Sequence, residues 1–146
     1  MLRRLARLKW LIEATVALGV ARLFVKFVPL RKWRNTVQES LDTEAMPRAT
    51  ELTEHQASLA QTTRFWIRRA RRKAPFEAVC LPQALAARWM LKRRGVPTEL
   101  YFGAKRDDQS KLNLHAWLIA GGEYVTGEEE DWAYQTFRRA GATAKR

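Results

Sequence analysis

Cys80 and His115 are the two residues of this sequence whose types could together perform covalent chemistry. Cys80 is the only cysteine and is followed by Pro82, which is tolerated in the first turn of a helix because its missing N–H would have no partner there. Unpaired backbone N–H groups and the positive end of the helix dipole stabilise a thiolate at such a helix start. The position therefore suits a cysteine nucleophile, which also needs a base and a group that orients that base.

His115 is the candidate base, because His55, the other of two histidines, falls in a polar helical stretch and is expected at the surface. His115 lies within a predicted strand, where alternate side chains point to opposite faces. The strand can therefore bury Leu114 and Ala116 on one face and present the imidazole on the other. Both residues also have a structural interpretation, because a lone cysteine often acts as a small buried hydrophobe and a strand histidine is often a hydrogen-bonded core residue.

The elements that must position this pair are a helix and a small sheet. Gly95 and Pro97 end the helix that begins at Cys80, and a buried face is predicted at Leu81, Leu85 and Trp89. Strands are predicted at 99–104, 112–119 and 123–126, with a turn at 107–110. One or two helices over about 51–73 precede them, so the fold class is α+β. If the sheet packs against the start of the Cys80 helix, thiol and imidazole can meet.

The first 27 residues predict a basic amphipathic helix that ends before Pro29. We expect its apolar face either to pack on the body of the protein or on a partner, or to lie on anionic lipid headgroups. Its longest uncharged stretch, 14–21, is far shorter than the ~20 residues of a membrane-spanning helix. A polar linker at 35–50 then divides the chain into an extension, 1–48, and a main domain, 49–146. The predicted apolar face consists of Leu5, Leu8, Ile12, Val16, Val20, Leu23 and Phe27.

The 146 residues carry 27 Lys and Arg against 15 Asp and Glu, a net charge of +12 that favours acidic partners. The basic run from Arg64 to Lys73 is typical of a solvated helix face, and without a helix-turn-helix pattern or aromatic platforms we expect no nucleic-acid partner. A single cysteine excludes an internal disulfide and a multi-cysteine zinc site and fits a reducing compartment, so we expect a cytoplasmic location, with membrane association through residues 1–30 as an alternative. No motif indicates a metal or organic cofactor.

Four stretches of the sequence carry recognisable motifs. They are residues 74–87, with Cys-Leu-Pro-Gln at 80–83, Arg-Arg-Gly-Val-Pro at 93–97, Tyr-Phe-Gly at 101–103 and Leu-His-Ala-Trp at 114–117. Together these stretches resemble the transglutaminase-like leader peptidases of lasso-peptide biosynthesis. The resemblance covers about residues 60–127. The basic, apolar N-terminal segment is similar to that of the stand-alone members of the family. The resemblance implies a papain/transglutaminase-like fold with a Cys-His-acid triad.

For the acid of that triad, the resemblance points to the residues just after the third strand. The family has an aspartate there, and this chain has Gly127 followed by Glu128. We expect Glu128 to be the acid, brought into line by a one-residue bulge near residues 121–122. Glu129, or a backbone or amide partner, is an alternative. A third interpretation is that 128–130 form an exposed acidic loop with no catalytic role.

The resemblance assigns the nucleophile to Cys80 and the general base to His115. The implied reaction is cleavage of the leader from a lasso-peptide precursor, with the oxyanion held by N–H groups at the helix start. Gln83, one turn into the helix, is a candidate oxyanion donor or a surface or packing residue. The implied partners are the precursor leader peptide, a small leader-recognition protein and an ATP-dependent cyclase. The alternatives are acyl transfer of the transglutaminase type and a non-enzymatic basic adaptor that binds nucleic acid or a membrane surface.

Overall fold

Three helices precede an antiparallel sheet in the part of the chain that the computed structural model describes, which is residues 2–28, 51–75, 79–106, 112–128 and 135–136. The helices are α1 (Leu2–Phe27), α2 (Glu54–Lys73) and α3 (Cys80–Lys92), and the strands are β1 (Glu99–Arg106), β2 (Leu112–Ala120), β3 (Glu123–Thr126) and β4 (Gln135–Thr136). The strand order is β3-β2-β1-β4. This arrangement confirms the predicted α+β class. The expected linker at 35–50 and turn at 107–110 lie outside the described residues.

The first turn of α2 is fixed by a capping box that the sequence analysis did not identify. The Thr53 hydroxyl accepts a hydrogen bond from the Gln56 N–H, and the Gln56 side chain accepts one from the Thr53 N–H. Each bond satisfies a backbone donor that a helix start would otherwise leave unpaired. The Gln56 amide also donates to the carbonyl of Gly95 at 2.9 Å. The cap therefore holds the start of α2 against the end of α3.

The end of α3 confirms the predicted glycine cap. Gly95 has φ +68°, and the Val96 N–H donates to the Leu91 carbonyl at 3.1 Å, a pattern typical of a left-handed helix C-terminus. The predicted buried face is only partly right, however, because Leu85 is buried whereas Leu81 and Trp89 are partly exposed, and every residue from 82 to 87 is buried. The physical reason is that α3 packs against α1 and α2 and also against β2 and β3.

Strand β2 lies between β1 and β3 and is buried on both faces from residue 115 to 118. The sequence predicted one buried face and an imidazole presented on the other. In the structure His115 is only 5% exposed, because its face is covered as well. Trp117 stacks on the His115 ring with centroids 5.7 Å apart and on the Tyr101 ring at 5.8 Å.

Helix α1 packs on α2 and α3 through the face opposite to the predicted one. Ala14, Leu18 and Ala21 have no exposed surface and belong to the same core as α2 and α3. The residues of the predicted face are instead 50–70% exposed, so the expectation that this face packs on the body of the protein is wrong, while its contact with a partner or with lipid stays a prediction. The cause is that α1 is apolar on two sides. The side with the small residues Ala14 and Ala21 can approach the other helices more closely than the side with the larger residues. We call the exposed set the outer stripe: Leu5, Leu8, Ile12, Val16, Val20, Leu23 and Phe27.

Among the described helices, we find none with both the length and the apolar character that crossing a membrane requires. The predicted boundary at residue 48 lies outside the described residues.

A cluster of charges at the end of α3 holds α1 in place. Both carboxylate oxygens of Glu13 accept hydrogen bonds from the Arg94 guanidinium, at 2.7 and 2.8 Å, and Arg93 also pairs with this carboxylate. The Arg94 guanidinium in turn lies 4.2 Å from the ring centroid of Trp10. The hydrogen bonds from Arg94 lower the pKa of the Glu13 carboxyl, and the charges of Arg94 and Arg93 add to that effect against the opposing effect of burial.

Glu13→Gln is expected to lower the free energy of unfolding at pH 7 by about 1–2 kcal/mol, because the variant loses a partly buried, charge-assisted pair. The folded state lowers the Glu13 pKa, so the ionised carboxylate stabilises the fold at neutral pH, and that contribution is lost as the pH falls through the lowered pKa. Urea unfolding of both proteins from pH 7 to pH 3 measures this difference. Exposed Glu51→Gln is the control, and a pH-independent difference would contradict the expectation.

Candidate active site

A cavity of about 330 Å³ lies between α2, the start of α3 and the β2–β3 hairpin. Cys80 and Gln83 line it from α3, and His115 lines it from β2. Gly127 and Glu128, just after β3, complete the same wall. The structure therefore brings together, around one space, all three residues for which the sequence predicted catalytic roles.

Cys80 is the first residue of α3, with Val79 at the N-cap position. Its side chain is partly exposed, so a reagent that enters the cavity can reach the sulfur. Cys80 and Leu81 supply the main-chain N–H groups of this first turn, because Pro82 has none. Gln83, one turn further along, is 7% exposed. It is therefore buried beside the cavity, which excludes the surface interpretation of this residue.

The His115 ring is oriented by the main chain. Its Nε2 atom lies 3.1 Å from the carbonyl oxygen of Gly127. A carbonyl can only accept, so this contact places the proton of the neutral ring on Nε2 and leaves Nδ1 as the basic atom. Stacking on Trp117 restricts the tilt of the ring. Both contacts fix the orientation of the ring, and a cysteine nucleophile site needs a third group that orients its base.

Gly127 is suited to this position for a steric reason. Its φ is +84°, a region that residues with a Cβ seldom adopt. A Cβ at this position would lie 2.5 Å from the Cβ of Trp117 and 3.0 Å from the Ala116 carbonyl oxygen. From the sequence, Gly127 was notable only as the position where the family has an aspartate. The positive φ and the close approach to β2 could not be inferred from the residue type.

Glu128 lines the cavity but forms an ion pair with Arg64 on α2. The β2–β3 pairing shifts between Leu118 and Ile119, an irregularity of the predicted kind a few residues before residues 121–122. The carboxylate is half exposed, and Arg64 also donates to the Tyr124 carbonyl at 2.8 Å. Two groups in the structure are thus candidates for the third member of the Cys-His-acid triad, the Gly127 carbonyl and the Glu128 carboxylate. The acid role of Glu128 stays a prediction.

Helix α2 contributes a basic wall to the cavity. Arg64, Arg68 and Arg71 follow at intervals of four and three residues, and all three line the space that Cys80 and His115 share. Positive charge beside a cavity stabilises anions within it. The run is exposed from Arg71 to Lys73 and at Arg68 and Arg69, as expected of a solvated helix face. Spacing alone could not show that one side of α2 also borders the cavity. His55 is exposed on α2, as predicted.

Over the described ranges, no group of three or more His, Cys, Asp and Glu side chains is placed to hold a metal ion.

A comparison with known protein families shows which family this sequence matches. The family model described as the transglutaminase-like superfamily matches residues 21–139, which include α2, α3, the sheet and the cavity residues. No match was found among curated proteins or among solved structures. Enzymes of this superfamily are generally of the cysteine peptidase or acyltransferase type. Because the match spans most of the chain, we conclude that this protein belongs to the transglutaminase-like superfamily.

Proposed function

We propose that the protein is a cysteine peptidase that removes the leader from a lasso-peptide precursor. The observation that carries the proposed chemistry is that Cys80, at a helix start, and His115, with its ring oriented by Gly127, line one cavity. The substrate class is supported by the resemblance of residues 74–87 and 114–117 to the leader peptidases of this pathway. Both supports concern residues within the superfamily match.

In the proposed reaction, His115 Nδ1 takes the thiol proton and Cys80 Sγ attacks the carbonyl carbon at the leader–core junction. N–H groups at the start of α3 stabilise the oxyanion. The C–N bond then breaks, and the imidazolium gives its proton to the departing core amine. Water, deprotonated by His115, hydrolyses the thioester, which releases the leader carboxylate and restores the thiol.

We also propose that partners supply most of the recognition of the precursor. A cavity of about 330 Å³ can hold only a few residues around a scissile bond, so the rest of the leader needs another binding surface. A small leader-recognition protein would hold the leader, and an ATP-dependent cyclase would use the core that cleavage releases. If the protein alone cleaved the precursor as fast as it does with the recognition protein, this division of roles would be wrong.

The experiment incubates the precursor and its recognition protein with the wild type or with Cys80→Ala and follows the products by mass. We expect wild type to release a leader that ends in a free carboxylate and Cys80→Ala to release none. A leader amide formed with an added primary amine, in preference to the carboxylate, would favour the acyltransferase alternative. Full cleavage by Cys80→Ala would show that Cys80 is not the nucleophile. Salt-sensitive nucleic-acid binding without any cleavage would favour the adaptor alternative.

Glu128 has the acidic role in this proposal, and Glu128→Gln tests it. Loss of the carboxylate removes negative charge near an imidazolium that forms during the reaction, so we expect kcat/KM to fall by about 10- to 100-fold. Glu123→Gln, an exposed carboxylate at the start of β3, is the matched control and should keep wild-type kcat/KM. Wild-type activity in Glu128→Gln would leave the orientation of His115 to the Gly127 carbonyl alone.

A further inference from the structure

The outer stripe of α1 is an apolar surface that none of the elements described above covers. Its seven side chains follow one another at intervals of three or four residues, and each is 50–70% exposed. At a helical rise of 1.5 Å per residue the stripe is about 33 Å long. The opposite side of α1 already holds the helix to α2 and α3, so the stripe is not needed for folding. Large contiguous apolar surfaces on soluble proteins mark interaction sites.

The charges around the stripe are basic. Arg4 and Lys9 are exposed toward its N-terminal end and Lys26 toward its C-terminal end. The only acidic residue of α1 is Glu13, and its carboxylate is paired with the two arginines at the end of α3. The exposed side of α1 thus presents apolar groups and positive charge together, which complements a surface that is apolar inside and anionic at its boundary.

The positions of the lysines distinguish among possible occupants. Lys9 is four residues after Leu5 and three before Ile12, so it lies within the stripe and not beside it. A second copy of this chain would bring the lysines of both helices into one dry interface, and lysine is depleted from the cores of protein interfaces. At a lipid surface, by contrast, the lysine stem can lie along the apolar face while its ammonium group reaches the headgroups.

We propose that the outer stripe binds the surface of an anionic lipid bilayer, with α1 lying in the plane of the membrane. Central residues such as Val16 and Val20 enter the boundary between headgroups and acyl chains, and Arg4, Lys9 and Lys26 contact lipid phosphates. The cavity with Cys80 and His115 is built by other elements, so this binding does not depend on the proposed peptidase activity.

The test is co-sedimentation of the full chain with vesicles of phosphatidylcholine, with or without phosphatidylglycerol. We expect binding to the anionic vesicles to be about tenfold tighter or more, and to weaken at high salt. Val16→Glu should reduce binding to anionic vesicles by about tenfold. Ser58→Glu, at an exposed position of α2, adds the same charge away from the stripe and should change binding less than twofold. Circular dichroism and thermal melting confirm that both variants fold.

Three outcomes would overturn the proposal. The first is equal vesicle binding by wild type and folded Val16→Glu. The second is a wild type that does not bind vesicles but dimerises with rising concentration in analytical ultracentrifugation, together with a Val16→Glu variant that stays monomeric. That result would assign the stripe to a second copy of the chain. The third is loss of binding to the purified leader-recognition protein in Val16→Glu with no vesicle binding by wild type, which would assign the stripe to a protein partner.

Discussion

Replacing His115 with alanine is expected to lower the rate of leader release by about 10²–10⁴-fold, the usual contribution of a general base. The variant keeps Cys80 at the start of α3 but has no group to take the thiol proton or to protonate the departing amine. His55→Ala is the matched control, because His55 is the other histidine of the chain and is exposed on α2. It should keep wild-type activity.

A second measurement separates loss of chemistry from loss of substrate binding. The rate at which iodoacetamide alkylates Cys80 at neutral pH reports on the reactivity of the sulfur without any need for precursor. We expect His115→Ala to react more slowly than wild type and His55→Ala to react at the wild-type rate, with both variants folded by circular dichroism. Equal alkylation and equal leader release in all three proteins would show that His115 is a structural core residue.

Replacing Gly127 with alanine is expected to lower the free energy of unfolding by about 2–5 kcal/mol. A residue with a Cβ at positive φ costs about 1–2 kcal/mol, and the Cβ would also lie 2.5 Å from the Cβ of Trp117, a clash whose relief typically costs about 1–3 kcal/mol more. Gly95→Ala is the matched control. Gly95 also has a positive φ, but no atom lies within 4 Å of the Cβ that the substitution adds.

The comparison of the two glycine variants therefore isolates the steric effect. Urea unfolding should show the larger decrease in the free energy of unfolding for Gly127→Ala. For Gly95→Ala the decrease should be only the cost of placing a residue with a Cβ at positive φ. At temperatures where Gly127→Ala remains folded, we expect its kcat/KM to fall as well, because its carbonyl no longer holds His115 Nε2. Gly95→Ala should keep wild-type kcat/KM. Equal losses of stability in the two variants would contradict the close approach of Gly127 to β2.

The parts of the fold that local signals determine could be predicted from the sequence. Pro82 near the start of α3 and Gly95 at its end predicted that helix to within two residues, because proline and glycine act through their own backbone geometry. The β2–β3 hairpin was predicted for the same reason, since Gly121 and Gly122 both have positive φ, as a two-residue turn between antiparallel strands requires. The placement of Cys80 at a helix start follows from these signals.

The prediction that the outer stripe could pack on the body of the protein was wrong, because periodicity measures only how apolar each side of a helix is. The outer stripe has the larger apolar residues, and the side that packs has Ala14, Leu18 and Ala21. Packing depends on how closely the partner helices can approach and on which charges they bring, here the arginines that bind Glu13. These arginines lie about 80 residues from Glu13 in the chain, so no local pattern shows which side of α1 will pack.

Local signals were enough to predict an α+β fold with a cysteine at a helix start and a histidine on a central strand, because spacing, proline and glycine act over a few residues. The surroundings of these two residues depend on how the whole chain folds. The Gly127 carbonyl that orients His115, the Arg64 partner of Glu128 and the exposure of the outer stripe all come from contacts between distant segments. Such contacts depend on the shape and packing of whole elements, which residue types alone do not specify.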